Sequence, residues 1–280
     1  MKKGWLLYDE RDYEQNHLFA AHMRQKAELL ELSLSVVFTE DFKNAVSAPL
    51  DFVISRQRNP LLSQRLERMG IPVFNNARVC ELCNDKRNTH RFLKGLPLMR
   101  TVCLEPGETY APDVETFPLV IKPAFGHGGD RVALAADQAQ LNGALAAIYP
   151  TPALAQEVAN DAGRDLRVYV LFGEITAAVM RTAQSGIVSN FKRGGSVSLH
   201  TLTDAETEVA EKVIRRFADG SAPLSFAGID LIYHNGHPVI NEIEDVVGSR
   251  MLYQVSDLDI IELYIRGIAA RLTHDNSANL

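Results

Sequence analysis

Residues 226–250, FAGIDLIYHNGHPVINEIEDVVGSR, decide how the rest of the chain is read. Two runs rich in β-branched and aromatic residues, FAGIDLIYH and PVINEIE, flank Asn235-Gly236, a pair that closes antiparallel hairpins. The strands carry three carboxylates, Asp230 on the first and Glu242 and Glu244 on the second. Side chains alternate faces along a strand, so Glu242 and Glu244 share one face. Turn length then decides where Asp230 points. A two-residue turn pairs His234 with His237 and sets Asp230 on the face opposite the glutamates. A three-residue loop, His234-Asn235-Gly236, puts Gly236 in the left-handed conformation, pairs Tyr233 with His237 and brings Asp230 diagonal to Glu242. It also gathers Ile229, Leu231, Tyr233, Val239 and Ile243 on one core face, and it is the expectation adopted. Three clustered carboxylates repel one another unless a cation lies among them. A few hard oxygen donors at strand ends suit Mg2+ that also bridges to substrate phosphates. A solvated acidic strand end is the alternative at this point.

Composition bounds the answer. A chain of 280 residues with 46% hydrophobic and 23% charged residues is long and apolar enough for two or three globular lobes. A formal net charge of −6 argues against a broad nucleic-acid footprint, so any phosphate would be held by local groups. No apolar run approaches membrane-spanning length, and GWLLYDERD turns acidic too soon for a signal peptide. No nucleic acid, no membrane and a cytoplasmic location are therefore expected. Cys80 and Cys83 form a CxxC, but no second pair completes a zinc site, and the odd third cysteine fits a reducing compartment.

Over the first eighty residues the short strands GWLLYD, SVVFTE, DFVISR and IPVFN alternate with helical NHLFAAHMRQKAELLEL and NPLLSQRLERMG, the pattern of a small parallel α/β lobe. Gly70 is placed to end the second helix. One helix, ARVCELCNDKRNTHRFLKGL, follows and breaks at Gly95 and Pro97. Strand FPLVIKPA holds Lys122 near its end, where a lysine is costly without a purpose. It feeds the loop FGHGGDRV, whose Gly126, Gly128 and Gly129 make either a flexible turn or a backbone cradle for phosphate. His127 in that loop reads as a solvated histidine. Next come helix AADQAQLNGALAAIY, strand PALAQEVA, a hairpin GRDLRVYVLFGEITAAVMR turning at Phe172-Gly173, and the polar SNFKRGGSVSLH. Helix DAETEVAEKVIRRFADG returns the chain to the acidic hairpin, and DLDIIELYIRGIAARL closes it.

Taken in order, the chain offers Lys86, Lys122 before the glycine loop, Gln156-Glu157 at a strand end, Asp165-x-Arg167, Arg181, SNFKRGG and the acidic hairpin. Over residues 85–270 this resembles the ATP-grasp superfamily and, within it, the RimK-like amino-acid ligases. The resemblance implies an α/β fold (the α+β ATP-grasp type). Residues 1–84 would form a Rossmann-like lobe, 85–155 a small central subdomain, and 156–280 a C-terminal subdomain, the last two clasping a nucleotide. It implies that Lys86 and Lys122, with Gly126, Gly128 and Gly129, reach the phosphates. Gln156, Glu157 and Val158 would form the hinge at the adenine, and Asp165 would be an acid of the nucleotide pocket. Asp230, Glu242 and Glu244 would hold the metal, and Arg181, Asn190 and Arg193 would wall the reaction site.

The cofactors so implied are ATP and Mg2+, with Mn2+ as the alternative ion. The partners are an amino acid or peptide, or a protein tail, and further copies of the chain in a homo-oligomer. The activity is carboxylate–amine ligation through an acyl phosphate. A nucleotide-binding regulator without turnover is the alternative, and a Mg2+-dependent kinase is a third reading. Two departures stand out. The group's usual Glu-x-Asn is Glu242-Ile243-Glu244 here, and its Ser-Pro-Gly gives way to Asp245-Val246-Val247-Gly248-Ser249-Arg250, where Arg250 is a candidate clamp for a substrate carboxylate.

Overall fold

The computed structural model describes residues 1–45, 49–108, 117–182 and 196–274, and these build three β-sheets. The first takes β1 (Lys2–Tyr8), β2 (Leu32–Phe38), β3 (Phe52–Ser55) and β4 (Val73–Phe74), all parallel, in the order β2-β1-β3-β4. Helices α1 (Glu10–Glu28), α2 (Phe42–Ala45) and α3 (Pro60–Arg68) make the crossovers. Parallel strands are covered on both faces, which is why these read as short apolar runs. Gly70, at φ 78°, donates its N–H to the Glu67 carbonyl and ends α3 as its position led us to expect.

The single helix expected next is two, α4 (Ala77–Asn84) and α5 (Lys86–Phe92). Asp85 between them is extended, and its carboxylate accepts the Arg87 N–H at 2.9 Å. An aspartate whose side chain caps a new helix competes with continuing the old one. Lys86 therefore opens a helix instead of riding in the middle of one. Cys80 and Cys83 are buried on α4, and burial pushes both thiols up, away from the reactive thiolate.

The second sheet holds β5 (Thr101–Leu104), β6 (Leu119–Pro123), β7 (Ala133–Ala135) and β8 (Ala153–Glu157) in the order β5-β8-β6-β7. Its neighbours run antiparallel, and α6 (Gln138–Ile148) closes a core around Leu119, Ile121 and Leu141. The third sheet holds β9 (Asp161–Leu171), β10 (Glu174–Thr182), β11 (Ser196–Leu199), β12 (Phe226–His234) and β13 (His237–Glu244) in the order β11-β10-β9-β12-β13. Phe172 and Gly173, both at positive φ, turn β9 into β10 as expected. Helix α7 (Asp204–Asp219) starts in a reciprocal cap between Thr203 and Glu206 and packs Val213 and Phe217 against one face of this sheet. Its other face joins Leu6, Tyr8 and Phe52 of the first sheet and Tyr264 and Ile265 of α9 (Ile260–His274) in one continuous core. A short α8 (Leu252–Val255) precedes α9. Among the described residues no helix is long and apolar enough to cross a membrane.

The acidic hairpin corrects the reading of its turn. His234 pairs with His237, so Asn235 and Gly236, at φ 53° and 77°, form a two-residue turn and Tyr233 lies opposite Pro238. Leu231 then pairs with Ile240, yet Asp230 pairs with Glu242. A bulge at Asn241 adds one residue to β13 and resets the alternation. Asp230 and Glu242 thus lie directly opposite each other, by a device other than the expected loop. The inward face carries Ile240 in place of Val239, alongside Ile229, Leu231, Tyr233 and Ile243.

Candidate active site

Adjacent strands place alternating charges across one face of the third sheet. Arg167 on β9 is the cross-strand partner of Asp230 on β12, which in turn faces Glu242 on β13, while Arg181 on β10 faces Asp165 on β9. Arg167 donates through Nε and Nη2 to the two Asp230 oxygens, both at 2.7 Å, and Arg181 Nη2 adds a third bond at 2.7 Å. Arg181 also donates to Asp165. Only 4% of Asp230 is exposed, and burial alone would raise its carboxyl. The charges and hydrogen bonds of Arg167 and Arg181 outweigh burial and hold it well below the usual carboxylate range.

Glu244 behaves differently. Arg167 Nη1 lies 2.6 Å from its Oε2, but the approach makes no hydrogen bond, and that buried oxygen has no hydrogen-bond partner. Burial raises the Glu244 carboxyl, with Asp230 and Glu242 adding to the shift and Arg167 opposing it. Among the described residues no three His, Cys, Asp or Glu side chains converge around a common point. Mg2+ does not require that. It binds one or two carboxylates and completes its shell with water and substrate phosphates. The hard oxygens of Glu242 and Glu244 could contribute to such a site, while Asp230 is held by Arg167 and Arg181.

Two lysines face these acids. Lys122, on β6, donates to Gln156 Oε1 at 2.8 Å and to Asn241 Oδ1 at 2.7 Å, and Gln156 Nε2 donates to Thr101 Oγ1 at 3.0 Å. Burial lowers the Lys122 ammonium to about 8, with Glu242 opposing and Lys86 reinforcing the shift. Lys86, at the start of α5, lies 3.2 Å from Glu242 Oε1 and donates to the Gly126 carbonyl at 2.6 Å. Gly126, Gly128 and Gly129 all have positive φ, so the loop turns its backbone in a way that β-carbon residues resist. The Glu157 N–H, expected to face the adenine, instead donates to the Arg100 carbonyl at 3.0 Å.

Both lysines, the glycine loop, Gln156, Glu157, Asp165, Arg181 and the three acids line one cavity of about 460 Å3. Val158 is not among the lining residues. Asn190 and Arg193 lie outside the described residues. Two residues that sequence reasoning did not assign to the site belong to it. The sequence marks Arg167 only as part of Asp165-x-Arg167. Asn241 is the extra residue of the bulge, and without the bulge it would take the place opposite Asp230 that Glu242 holds. Its only signal is its place beside Glu242.

Residues 104–268 match the family model of the RimK-like ATP-grasp domain. A probable α-L-glutamate ligase from Alcanivorax borkumensis is 27% identical over 285 residues, covering 94% of this chain and 91% of its own length. The ribosomal protein bS6–L-glutamate ligase of Escherichia fergusonii is 29% identical over 224 residues, covering 75% and 71%. The crystal structure of D-alanine–D-alanine ligase from Bacillus anthracis complexed with ATP shares the fold at a TM-score of 0.78 and 15% identity, covering 99% of each chain. With a family match across more than half its length, and with paired lysines set against acids across one cleft, this chain belongs to the RimK-like ATP-grasp family of ligases.

Proposed function

We propose that the chain joins a carboxylate to an amine at the expense of ATP, with an amino acid or peptide among its substrates and an acyl phosphate between the two half-reactions. In the first, a substrate carboxylate oxygen bonds to the γ-phosphorus and the bond to ADP breaks. In the second, an amine attacks the acyl carbon, phosphate leaves with the bonding pair, and the nitrogen gives up a proton. Phosphoryl transfer of this kind asks mainly for positioning and charge compensation. Lys86, Lys122 and the glycine-loop amides supply these for the triphosphate. Gln156, Glu157 and Asp165 would border the base and ribose. Glu242 and Glu244, with Asp230, would hold Mg2+, which when bound neutralises phosphate charge. Arg181, together with Asn190 and Arg193, would stabilise the charge developing on the phosphoryl and tetrahedral oxygens.

One observation carries the reading: a face of alternating arginines and carboxylates opposes two lysines and a glycine loop across a single cavity. The test is ADP release from ATP and Mg2+ with a pool of amino acids and short peptides, followed by mass spectrometry of the products. Amide formation is expected, with Lys122→Ala and Glu242→Gln each lowering turnover at least 100-fold, an order expected when a group stabilising transition-state charge is lost. ATP binding without substrate-stimulated turnover would instead favour a nucleotide-binding regulator, and a stable phosphate ester a kinase.

A further inference from the structure

Asp245 opens the segment that replaces the group's Ser-Pro-Gly, and Arg250 at the far end of that segment lines the cavity. Only 6% of Asp245 is exposed. Asn75, just after β4, donates through Nδ2 to the Asp245 carbonyl at 3.1 Å and to the Phe226 carbonyl at 2.8 Å. Arg56, just after β3, donates through Nη2 to the Val247 carbonyl at 3.0 Å. The segment is thus fixed from the first sheet, and the charges of Arg58 and Arg56 act on the Asp245 carboxylate. Among the described residues the side-chain donor to that carboxylate is Asn84, whose Nδ2 lies 3.0 Å from each oxygen and 2.9 Å from the Cys80 carbonyl. Asn84 is the last residue of α4, and Asp85 after it is extended, which makes the α4–α5 junction a joint. Lys86 sits on the α5 side of it. Its N–H donates to the Ala124 carbonyl at 3.0 Å and its Nζ to the Gly126 carbonyl, both on the segment that follows β6, while the same Nζ lies 3.2 Å from Glu242 Oε1.

Two rungs therefore join residues 84–86 to residues 242–245. The Lys86–Glu242 rung borders the cavity, where a phosphate would compete for the ammonium. The Asn84–Asp245 rung carries a charged acceptor that is buried, the setting in which a hydrogen bond is strong. Lysine is a point charge on a flexible stem, so the placement of its backbone decides how much side-chain freedom is lost when it meets a ligand. The start of α5 is claimed from two sides, by the glycine loop through Lys86 and by the acidic hairpin through Asn84. We propose that Asn84 is a positioning residue for the proposed reaction: its bond to Asp245 keeps the Lys86 backbone with the acidic hairpin rather than with the glycine loop, so that the ammonium is set in place before the triphosphate arrives. This inference rests on the reading of the cavity as a nucleotide site.

The test is calorimetric titration of the full chain with a non-hydrolysable ATP analogue and Mg2+, in a cycle of Asn84→Ala and Lys86→Ala. Asn84→Ala should raise the Kd about tenfold, the size of one hydrogen bond to a charged group. It should add nothing in the Lys86→Ala protein, where no ammonium is left to position. Asn84→Asp sets two carboxylates side by side and should weaken binding too. Adding Asp245→Asn restores a donor and an acceptor with the direction reversed, and should recover most of that loss. Hydrogen exchange of the free proteins gives a readout without nucleotide: Asn84→Ala should speed exchange in the first turn of α5 while β9 and β12 keep their protection. An asparagine with a structural role alone would weaken the analogue equally in both backgrounds and loosen β9 and β12 together with α5. Either of those results would overturn the proposal, as would an unchanged Kd in Asn84→Ala or an exchanged pair that binds no tighter than Asn84→Asp. Equal weakening in both backgrounds, with Lys86→Ala itself impaired, leaves the nucleotide site standing and removes only the positioning role. A Lys86→Ala protein that binds the analogue normally removes both.

Discussion

Asp230 carries three charge-assisted hydrogen bonds inside the protein, and that fixes what its arginines are worth. Removing one member of a buried ion pair strands the other, at a cost of roughly 3–5 kcal/mol. Arg167→Met should therefore destabilise the chain by about 3 kcal/mol or more in urea unfolding, and Asp230→Asn in the same protein should restore part of the loss. A second expectation concerns Lys122, which burial lowers to about 8. An unfolded lysine keeps its proton to about 10.4, so between these values the unfolded chain binds more protons and this residue's contribution to stability rises with pH. Nucleotide binding runs the other way. On the proposed reading Lys122 meets phosphate as a cation, which is lost as pH rises through about 8, so the Kd for ATP should increase above that pH, and Lys122→Arg should flatten the profile in a titration series. Lys122 was legible in the sequence because a lysine at the end of an apolar strand needs a reason. Arg167 was not, because its partner lies on β12, and nothing local says which strand will sit beside β9.

At the scale of elements the informative piece is the bulge on β13. The sequence shows the hairpin, its Asn-Gly turn and three acids, and parity then appeared to demand a longer loop. The protein keeps the tight turn and spends one extra residue, Asn241, midway along the strand. That residue is unpaired in the ladder and accepts from Lys122 across the cleft. A bulge has no composition signature, so both the register and the role of Asn241 were hidden. Two variants separate the functions of this residue. Asn241→Ala keeps the extra residue but removes the acceptor, which leaves Lys122 to Gln156 alone. Deleting Asn241 gives a regular ladder that still sets Glu242 against Asp230. Both should raise the Kd for ATP by roughly tenfold, the scale of one hydrogen bond to a charged group, without abolishing folding. Calorimetry with ATP and circular dichroism would decide. If Asn241→Ala binds ATP normally, the bulge serves register alone.

Across the whole molecule, the three sheets do not contribute equally. The alternation of strands and helices made the parallel first lobe legible, but an apolar face says only that something covers it. It does not say what. Here the first and third sheets cover one another, with Tyr8 and Phe52 in the same core as Phe226 and Tyr264. Helices α1 and α9 are also tied by Lys26, which lies 2.9 Å from Asp259 and 2.8 Å from Glu262. The second sheet has a smaller core of its own. That sheet reaches the third through Lys122 to Asn241 and through α5, whose Lys86 donates to the Gly126 carbonyl while Leu93 at its end packs in the core of the third sheet. Among the described residues the core of the second sheet takes none from the third. A lobe held by few apolar contacts opens at lower free energy than one sharing a large core. In native-state hydrogen exchange, β5, β6 and β8 should therefore exchange through openings well below the global unfolding free energy, while β1, β9 and β12 exchange close to it. On the proposed reading a nucleotide would engage Lys122 and the hairpin carboxylates at once and so bridge the two bodies. ATP analogue with Mg2+ should accordingly slow exchange in β6 and β8 more than in β1, and binding at 100 times Kd should add about 2.7 kcal/mol to stability. Equal protection of all three sheets in the free protein would mean that the second lobe is bound as firmly as the others, and that closure on the nucleotide is not how this cleft works.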